Sequence, residues 1–336
     1  MRWLLSLVLL FSSMAFGGAS KWIEFQLDRG HITIPIKVLG QSGRAVLDSG
    51  ANINGINSQF VLANKNEFTP SGKVEIAGVF GRSQRSTYNS VPVELYGVNV
   101  ELDNMVEIRD FKSLVLLGQD FFAQMVMQID YPNKRMRMIE HGSINLKKLK
   151  NIDMRFNKRI GMPIVKTRLN DEKNIWVLMD TGSTGGLFIE RMVAHSAGWL
   201  DEYRVEKGLV SGIVETNVVE NFHLPEVQFG PFGIKNVSTT VVADGHSVKP
   251  ISKSASIVGS HRRSKSVKGI VGYEVLKHFV LTVDYKHGRM HVGLPEDLSA
   301  TAAVSAAASV NASVDESVKS SLSSYVKASA NASAAR

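Results

Sequence analysis

The chain has 336 residues, 44% hydrophobic and 21% charged, with a formal charge of +8 and a pI near 9.5. That length allows two domains of ordinary size, and the apolar content excludes a chain disordered throughout. The absence of cysteine excludes disulfide scaffolds and thiol catalysis.

The first element in chain order is an expected export signal over residues 1–20. Arg2 carries positive charge, Trp3 to Phe11 form a short apolar run, and Ala15-Phe16-Gly17 and Gly17-Gly18-Ala19 offer small-residue cleavage sites. The run is too short for a stable span, so no integral membrane segment is expected after its removal, and the protein is expected in the periplasm or outside the cell.

Most of the remaining chain reads as strands: Ile32 to Val38, Val91 to Leu95, Gln124 to Ile129, Arg135 to Ile139, Val237 to Val242 and Phe279 to Val283. Asn133-Lys134 and His287-Gly288 are expected hairpin turns. Short helices are expected near Ser58 to Ala63, near Glu190 to Ala197, and where Asp120 and Glu274 favour a helix start. Residues 147–159 are an expected connector between an N-terminal unit, 21–146, and a C-terminal unit, 160–297. The Ala- and Ser-rich residues 298–336 are expected to form a flexible tail. Lys253, Arg262, Arg263, Lys265 and Lys268 lie in a Ser-rich stretch without acids, read as a solvated loop. No nucleic-acid signature accompanies the charge, so no such partner is expected.

The two units are written in the same order. Arg44-Ala-Val-Leu-Asp-Ser-Gly-Ala51 matches Trp176-Val-Leu-Met-Asp-Thr-Gly-Ser183, and Leu116-Leu117-Gly118 matches Ile270-Val271-Gly272. Twelve residues after each of those glycines stands an Asp-Tyr pair, Asp130-Tyr131 and Asp284-Tyr285. Five residues beyond each Asp comes Arg-Met. Ile34-Pro35-Ile36 and Met162-Pro163-Ile164 open the copies. This is an internal duplication. From Asp to the later Gly is 70 residues in the first copy and 92 in the second, and the surplus falls largely around residues 244–268.

Each apolar strand delivers an Asp to its end, where a rigid element holds it. Ser49 or Thr181 can brace the loop by hydrogen bonds, and Gly50 and Gly182 permit close backbone approach. Two such loops related by a pseudo-twofold axis can bring two carboxylates around one water. Carboxyls that close share a proton, which suits general acid-base hydrolysis.

On these residues the chain resembles the pepsin and retropepsin superfamily, in particular bacterial retropepsin-like proteins with two copies of the domain. Asp48-Ser49-Gly50-Ala51 and Asp180-Thr181-Gly182-Ser183 match its catalytic loop. The Leu117-Gly118 and Val271-Gly272 pairs belong to its second signature. The resemblance covers residues 30–293. It implies a mostly β fold of two pseudo-twofold-related β-barrel lobes with short helices, and a cleft between them. Asp48 and Asp180 would be catalytic, with no cofactor and no metal. The expected partner is a peptide or protein substrate, and the expected state is a monomer with an intramolecular dyad; pairing between chains is the alternative. Family-type flaps fall at Gly78-Val79-Phe80 and Ser211-Gly212-Ile213. A rival reading keeps the fold as a non-catalytic module that binds a peptide or envelope component.

Other chemistries find less support. The run Gly182-Ser-Thr-Gly-Gly186 lacks the Lys-Ser/Thr of a phosphate loop, and Asp180 at its mouth would repel phosphate. The nine histidines show no zinc-protease spacing, and no Gly-x-Ser-x-Gly element is present. Trp176, Trp199 and the methionines read as core.

Overall fold

The computed structural model describes residues 18–157, 162–246 and 265–295, and these are mostly β. Residues 1–17 of the expected leader, Lys253, Arg262 and Arg263 of the basic loop, and the tail from 298 lie outside the described residues. Val91–Leu95 and Arg135–Ile139 form as expected, and helices occupy Ser58–Ala63, Arg191–Ser196, Gln119–Ala123 and Tyr273–Leu276. The strand expected from Gln124 begins at Val126, because Gln124 still caps the helix that starts after Gly118. The expected turns form, with Lys134 at φ 50° and Gly288 at φ 60°. Among the described residues, no helix is long and apolar enough to cross a membrane.

The duplication reappears as topology. In the first copy, His31–Val38 pairs antiparallel with Gln41–Leu47, which runs parallel to Val115–Leu117. That strand pairs antiparallel with Gly55–Asn57, which runs parallel to Met105–Ile108. Then come Arg82–Tyr88 and its hairpin partner Pro70–Ala77. In the second copy the same path runs through Met162–Leu169, Lys173–Met179, Val267–Val271, Leu187–Ile189, Phe232–Val242, Thr216–Phe229 and Glu206–Ser211. Each parallel neighbour is reached by a crossover, so a late strand is inserted beside an early one.

The copies differ in how continuous their strands are. Thr216–Phe229 does alone what Arg82–Tyr88 and Val91–Leu95 do separately. Its far end pairs with Thr167 to Leu169, which closes the second sheet into a ring. The first-copy strands are interrupted at Ser90, φ 51°, and at Asn104, φ 53°, left-handed conformations that stop a regular ladder.

A third sheet joins the copies. Its order is Ile23–Glu24, Arg135–Ile139, Val126–Asp130, Val280–Asp284, Arg289–Gly293, antiparallel throughout. Both central strands are buried along their whole length, and Gln128 Nε2 donates to Thr282 Oγ1 across them at 2.8 Å. Gly18, Ala19 and Ser20 also pair with this sheet, against Met138, Ile139 and Glu140. The helix Leu146–Leu149 begins one residue before the expected connector, and Met154–Asn157 within it is a strand of the second-copy sheet.

One core runs through both copies. Leu47 and Met179 are fully buried in it, and Phe122 packs on Tyr285 at 5.0 Å between ring centroids. Full burial of side chains this large stabilises by about 1.5–3 kcal/mol each. Trp199 is core as expected, while Trp176 is half-buried beneath the Arg155 guanidinium.

Candidate active site

Two strand ends converge at the junction of the copies. Gln41–Leu47 and Lys173–Met179 each stop at an Asp whose backbone N–H still donates to the neighbouring crossover strand. Asp48 N donates to Leu117 O at 2.9 Å, and Asp180 N to Val271 O at 3.0 Å. The chain then turns, and each Asp carboxylate accepts from the N–H two residues on, Gly50 or Gly182, both at 2.8 Å. Gly118 and Gly272 follow the crossover strands where the loops pass over them. A Cβ at Gly118 would overlap the Ile53 carbonyl oxygen, and one at Gly272 would press on Ser183 O. The two-residue signature is thus a clearance requirement.

Ser49 and Thr181 lock the loops together. Ser49 N donates to Thr181 Oγ1 and Thr181 N donates to Ser49 Oγ, each at 3.0 Å. Ser49 Oγ donates to Met179 O, and Thr181 Oγ1 to Leu47 O, each at 2.8 Å. Every bond has a counterpart with the copies exchanged. Both hydroxyls are essentially inaccessible to water, so a rotamer change would leave buried groups unpaired.

This arrangement sets the two carboxyls against each other. The Asp48 and Asp180 side chains are hydrogen-bonded together. A Cβ at Gly50 would overlap the Asp180 carboxyl, and a Cβ at Gly182 that of Asp48. Only glycine allows this approach. Each acid keeps part of its surface open to a cavity and is otherwise enclosed.

Burial raises the Asp48 pKa, opposed by the hydrogen bond with Asp180 and by the N–H groups of Gly50 and Ala51. Burial, then the charge and hydrogen bond of Asp48, hold Asp180 well above the usual carboxylate range, against weaker lowering by Gly182 N–H and His31. The pair therefore retains a proton at pH values where an isolated carboxyl has lost it. Burial also pushes up the phenols of Tyr131 and Tyr285, so both stay neutral.

The cavity above the acids has a volume of about 1080 Å³. Its roof is two hairpin tips. Gly78 N donates to Gly81 O at 3.2 Å in one, and Gly212 N to Glu215 O at 2.9 Å in the other. The tips touch: a Cβ on Gly78 would lie 3.0 Å from Ile213 Cγ2, and one on Gly212 would lie 3.2 Å from Phe80 Cδ2. Phe80 is buried and meets Phe188 edge-on at 6.1 Å. A smaller cavity, about 490 Å³ beside Ser58–Ala63, contains none of these groups.

The structure therefore brings Asp48, Asp180, Gly50, Ala51, Gly182, Ser183, Gly78, Val79, Phe80, Ser211, Gly212 and Ile213 to one cavity. Ser49, Thr181, Leu117, Gly118, Val271 and Gly272 stand behind its wall. Sequence reasoning missed His31 and Arg85 in the lining and Asn54, whose side chain accepts from Gly118 N at 3.0 Å. Arg85 sits on the hairpin strand Arg82–Tyr88 opposite Val74, and only knowledge of that pairing reveals which way it faces. No family model and no curated protein matches this chain.

Proposed function

We propose that this chain is an exported aspartic-type endopeptidase of the pepsin and retropepsin class, with Asp48 and Asp180 as its catalytic pair. The observation that carries the reading is the contact between the two carboxyls. They meet on the floor of an apolar-roofed cavity, each held by a matching set of bonds from both copies. In this reading the repeated sheets are two lobes, the five-stranded sheet is their common base, and the paired tips are flaps. The dyad forms within one chain.

The chemistry follows from the shared proton. An extended peptide enters under the tips and pairs its backbone with hairpin edges. The ionised carboxylate takes a proton from a water between the acids, and the water oxygen bonds to the scissile carbonyl carbon. The protonated carboxyl gives its proton to the carbonyl oxygen, so a neutral tetrahedral diol forms. On collapse the C–N bond breaks, the nitrogen gains a proton from one Asp, and a diol hydroxyl returns one to the pair. Water, one peptide bond and two protons balance without a covalent enzyme intermediate. Closed tips exclude bulk water, which strengthens each electrostatic contact inside.

The test is hydrolysis of a peptide library by the parent, Asp48→Asn and Asp180→Asn. Each substitution should lower kcat/KM by about 10³-fold or more. A peptide carrying a hydroxyl-bearing tetrahedral centre at the scissile position should inhibit the parent. Equal hydrolysis by parent and both variants would refute the mechanism. Tight peptide binding without cleavage from acid to neutral pH would favour the binding-module reading.

A further inference from the structure

Three chemistry-bearing side chains from two distant parts of the chain meet at the five-stranded sheet, away from the cavity lining. His141 follows the strand Arg135–Ile139, Asp284 ends Val280–Asp284, and His287 lies in the next turn. One ring nitrogen of each histidine and a carboxylate oxygen of Asp284 all lie within 4.8 Å of one another. Asp284 is buried, His141 half-buried and His287 exposed.

The hydrogen bonding at His141 is informative. Its Nε2 lies 3.2 Å from Ala123 O, a carbonyl that can only accept, so Nε2 carries the proton. In the neutral ring Nδ1 is then a lone pair. That atom is inaccessible, has no hydrogen-bond partner, and faces Asp284 Oδ1 at 3.5 Å. A lone pair aimed at a carboxylate oxygen is repulsive unless a positive charge, a second proton or a metal ion, lies between them. His287 Nδ1 is 2.7 Å from the other oxygen, Asp284 Oδ2, and the two rings stand perpendicular with centroids 5.5 Å apart.

The other copy supplies a control within the same molecule. There Asp130 takes Arg135 Nε at 2.8 Å, and Asn133 occupies the place of His287. The first copy thus neutralises its aspartate with a guanidinium. In the second, Asp284 has no arginine within ion-pair distance among the described residues and faces two imidazoles instead.

We propose that His141, Asp284 and His287 bind one divalent transition-metal ion of the zinc class, which clips the two copies together. Two imidazoles and one carboxylate suit zinc, cobalt, nickel or copper rather than magnesium or calcium. A tetrahedral ion with bonds of about 2.0–2.1 Å separates its ligand atoms by about 3.3 Å. His141 Nδ1 and Asp284 Oδ1 stand near that spacing at 3.5 Å, and His287 Nδ1, now hydrogen-bonded to Asp284 Oδ2 at 2.7 Å, would exchange that bond for the ion. The proton on His141 Nε2, fixed by a backbone carbonyl, is the outer contact that orients metal-bound imidazoles. Water completes the fourth position. The role is structural: none of the three side chains lines the cavity over Asp48 and Asp180.

The experiment is zinc titration of the full chain, purified without a histidine tag and stripped with chelator. Ion content, calorimetry and thermal unfolding are read on the parent, His141→Gln, His287→Gln and the double variant. The proposal expects one zinc per parent chain with micromolar or tighter affinity and a higher Tm on loading. Each single variant should bind at least about tenfold more weakly, as even outer-contact losses do at metal sites, and the double variant should lose the Tm response. Both substitutions keep a polar side chain of similar length, and circular dichroism without zinc verifies that the variants fold. Three results would overturn the proposal: no stoichiometric zinc in the parent, unchanged binding in the double variant, or equal stabilisation by magnesium or calcium. Failure here leaves the peptidase reading untouched, since neither histidine contacts the acids.

Discussion

Removing the Ser49 hydroxyl tests whether the two loops depend on each other. Ser49→Ala deletes two buried bonds, Ser49 Oγ to Met179 O at 2.8 Å and Thr181 N to Ser49 Oγ at 3.0 Å. A typical bond contributes about 1 kcal/mol net, and a buried donor left without a partner costs about 1–3 kcal/mol. The expected loss is therefore about 2–4 kcal/mol. Thr181→Val deletes the mirror pair, to Leu47 O and from Ser49 N, while keeping the shape, and should cost a similar amount. Thr181→Ser keeps the hydroxyl, loses one methyl and should cost about 1 kcal/mol. Urea unfolding gives the stability, with an unchanged slope required for the comparison. Peptide hydrolysis should fall with it, since a shift of about 1 Å between reacting groups costs about 10²-fold. If Ser49→Ala and Thr181→Val both stay within about 0.5 kcal/mol of the parent, an ordinary surface effect, the interlock is not what aligns the acids.

Three further outcomes rest on the same geometry. The raised pKa values mean that the folded pair binds more protons than the unfolded chain above the ordinary Asp value of 3.8; stability from this source is therefore present below that value and is lost as pH rises through the folded pKa. Asp180→Asn should unfold at higher urea than the parent at neutral pH, with the gain vanishing near pH 4, and a gain constant with pH would contradict the assignment. Gly118→Ala should cost about 1–3 kcal/mol by overpacking against the Ile53 carbonyl, measured by thermal unfolding; an unchanged Tm would show that the loop does not need this clearance. Phe80→Ala should speed proteolysis and hydrogen exchange at residues 76–82 more than it lowers global stability, because Phe80 anchors the tip in a small cluster with Val219 and Val242, separate from the main core, and it should raise KM for peptides. Uniform protection across the tip would count against a flap.

The site was legible where local pattern and repetition agreed. Asp48 and Asp180 each end an apolar strand, and the later Leu116-Leu117-Gly118 and Ile270-Val271-Gly272 recur in order, so one copy announced the other. Val91–Leu95 alternates buried and open positions and was readable by period alone. Thr216–Phe229 was not. It contains Pro225, which normally demotes a strand, and its burial lacks strict alternation. The ladder lapses for that one pair, where Asn236, opposite the proline, adopts φ 54°, and regular pairing resumes on both sides. The Ser49–Thr181 interlock and the His141 cluster join residues far apart in the chain, and no local window contains both ends. Arg85 and His31 carry no special spacing; only strand pairing assigns them to the cavity.

The direct pairing of Val126–Asp130 with Val280–Asp284 has a consequence for the ancestry and handling of the molecule. A polypeptide ending near residue 146 would leave the first of these strands as a bare, apolar edge. Antiparallel edges of that kind are self-complementary, so two identical fragments could join about a twofold axis as the unlike halves do in the whole chain. Fusing them would have converted a concentration-dependent assembly into a permanent one and freed each half to diverge. A truncated protein is therefore expected to elute as a dimer or to precipitate, rather than to persist as a folded monomer.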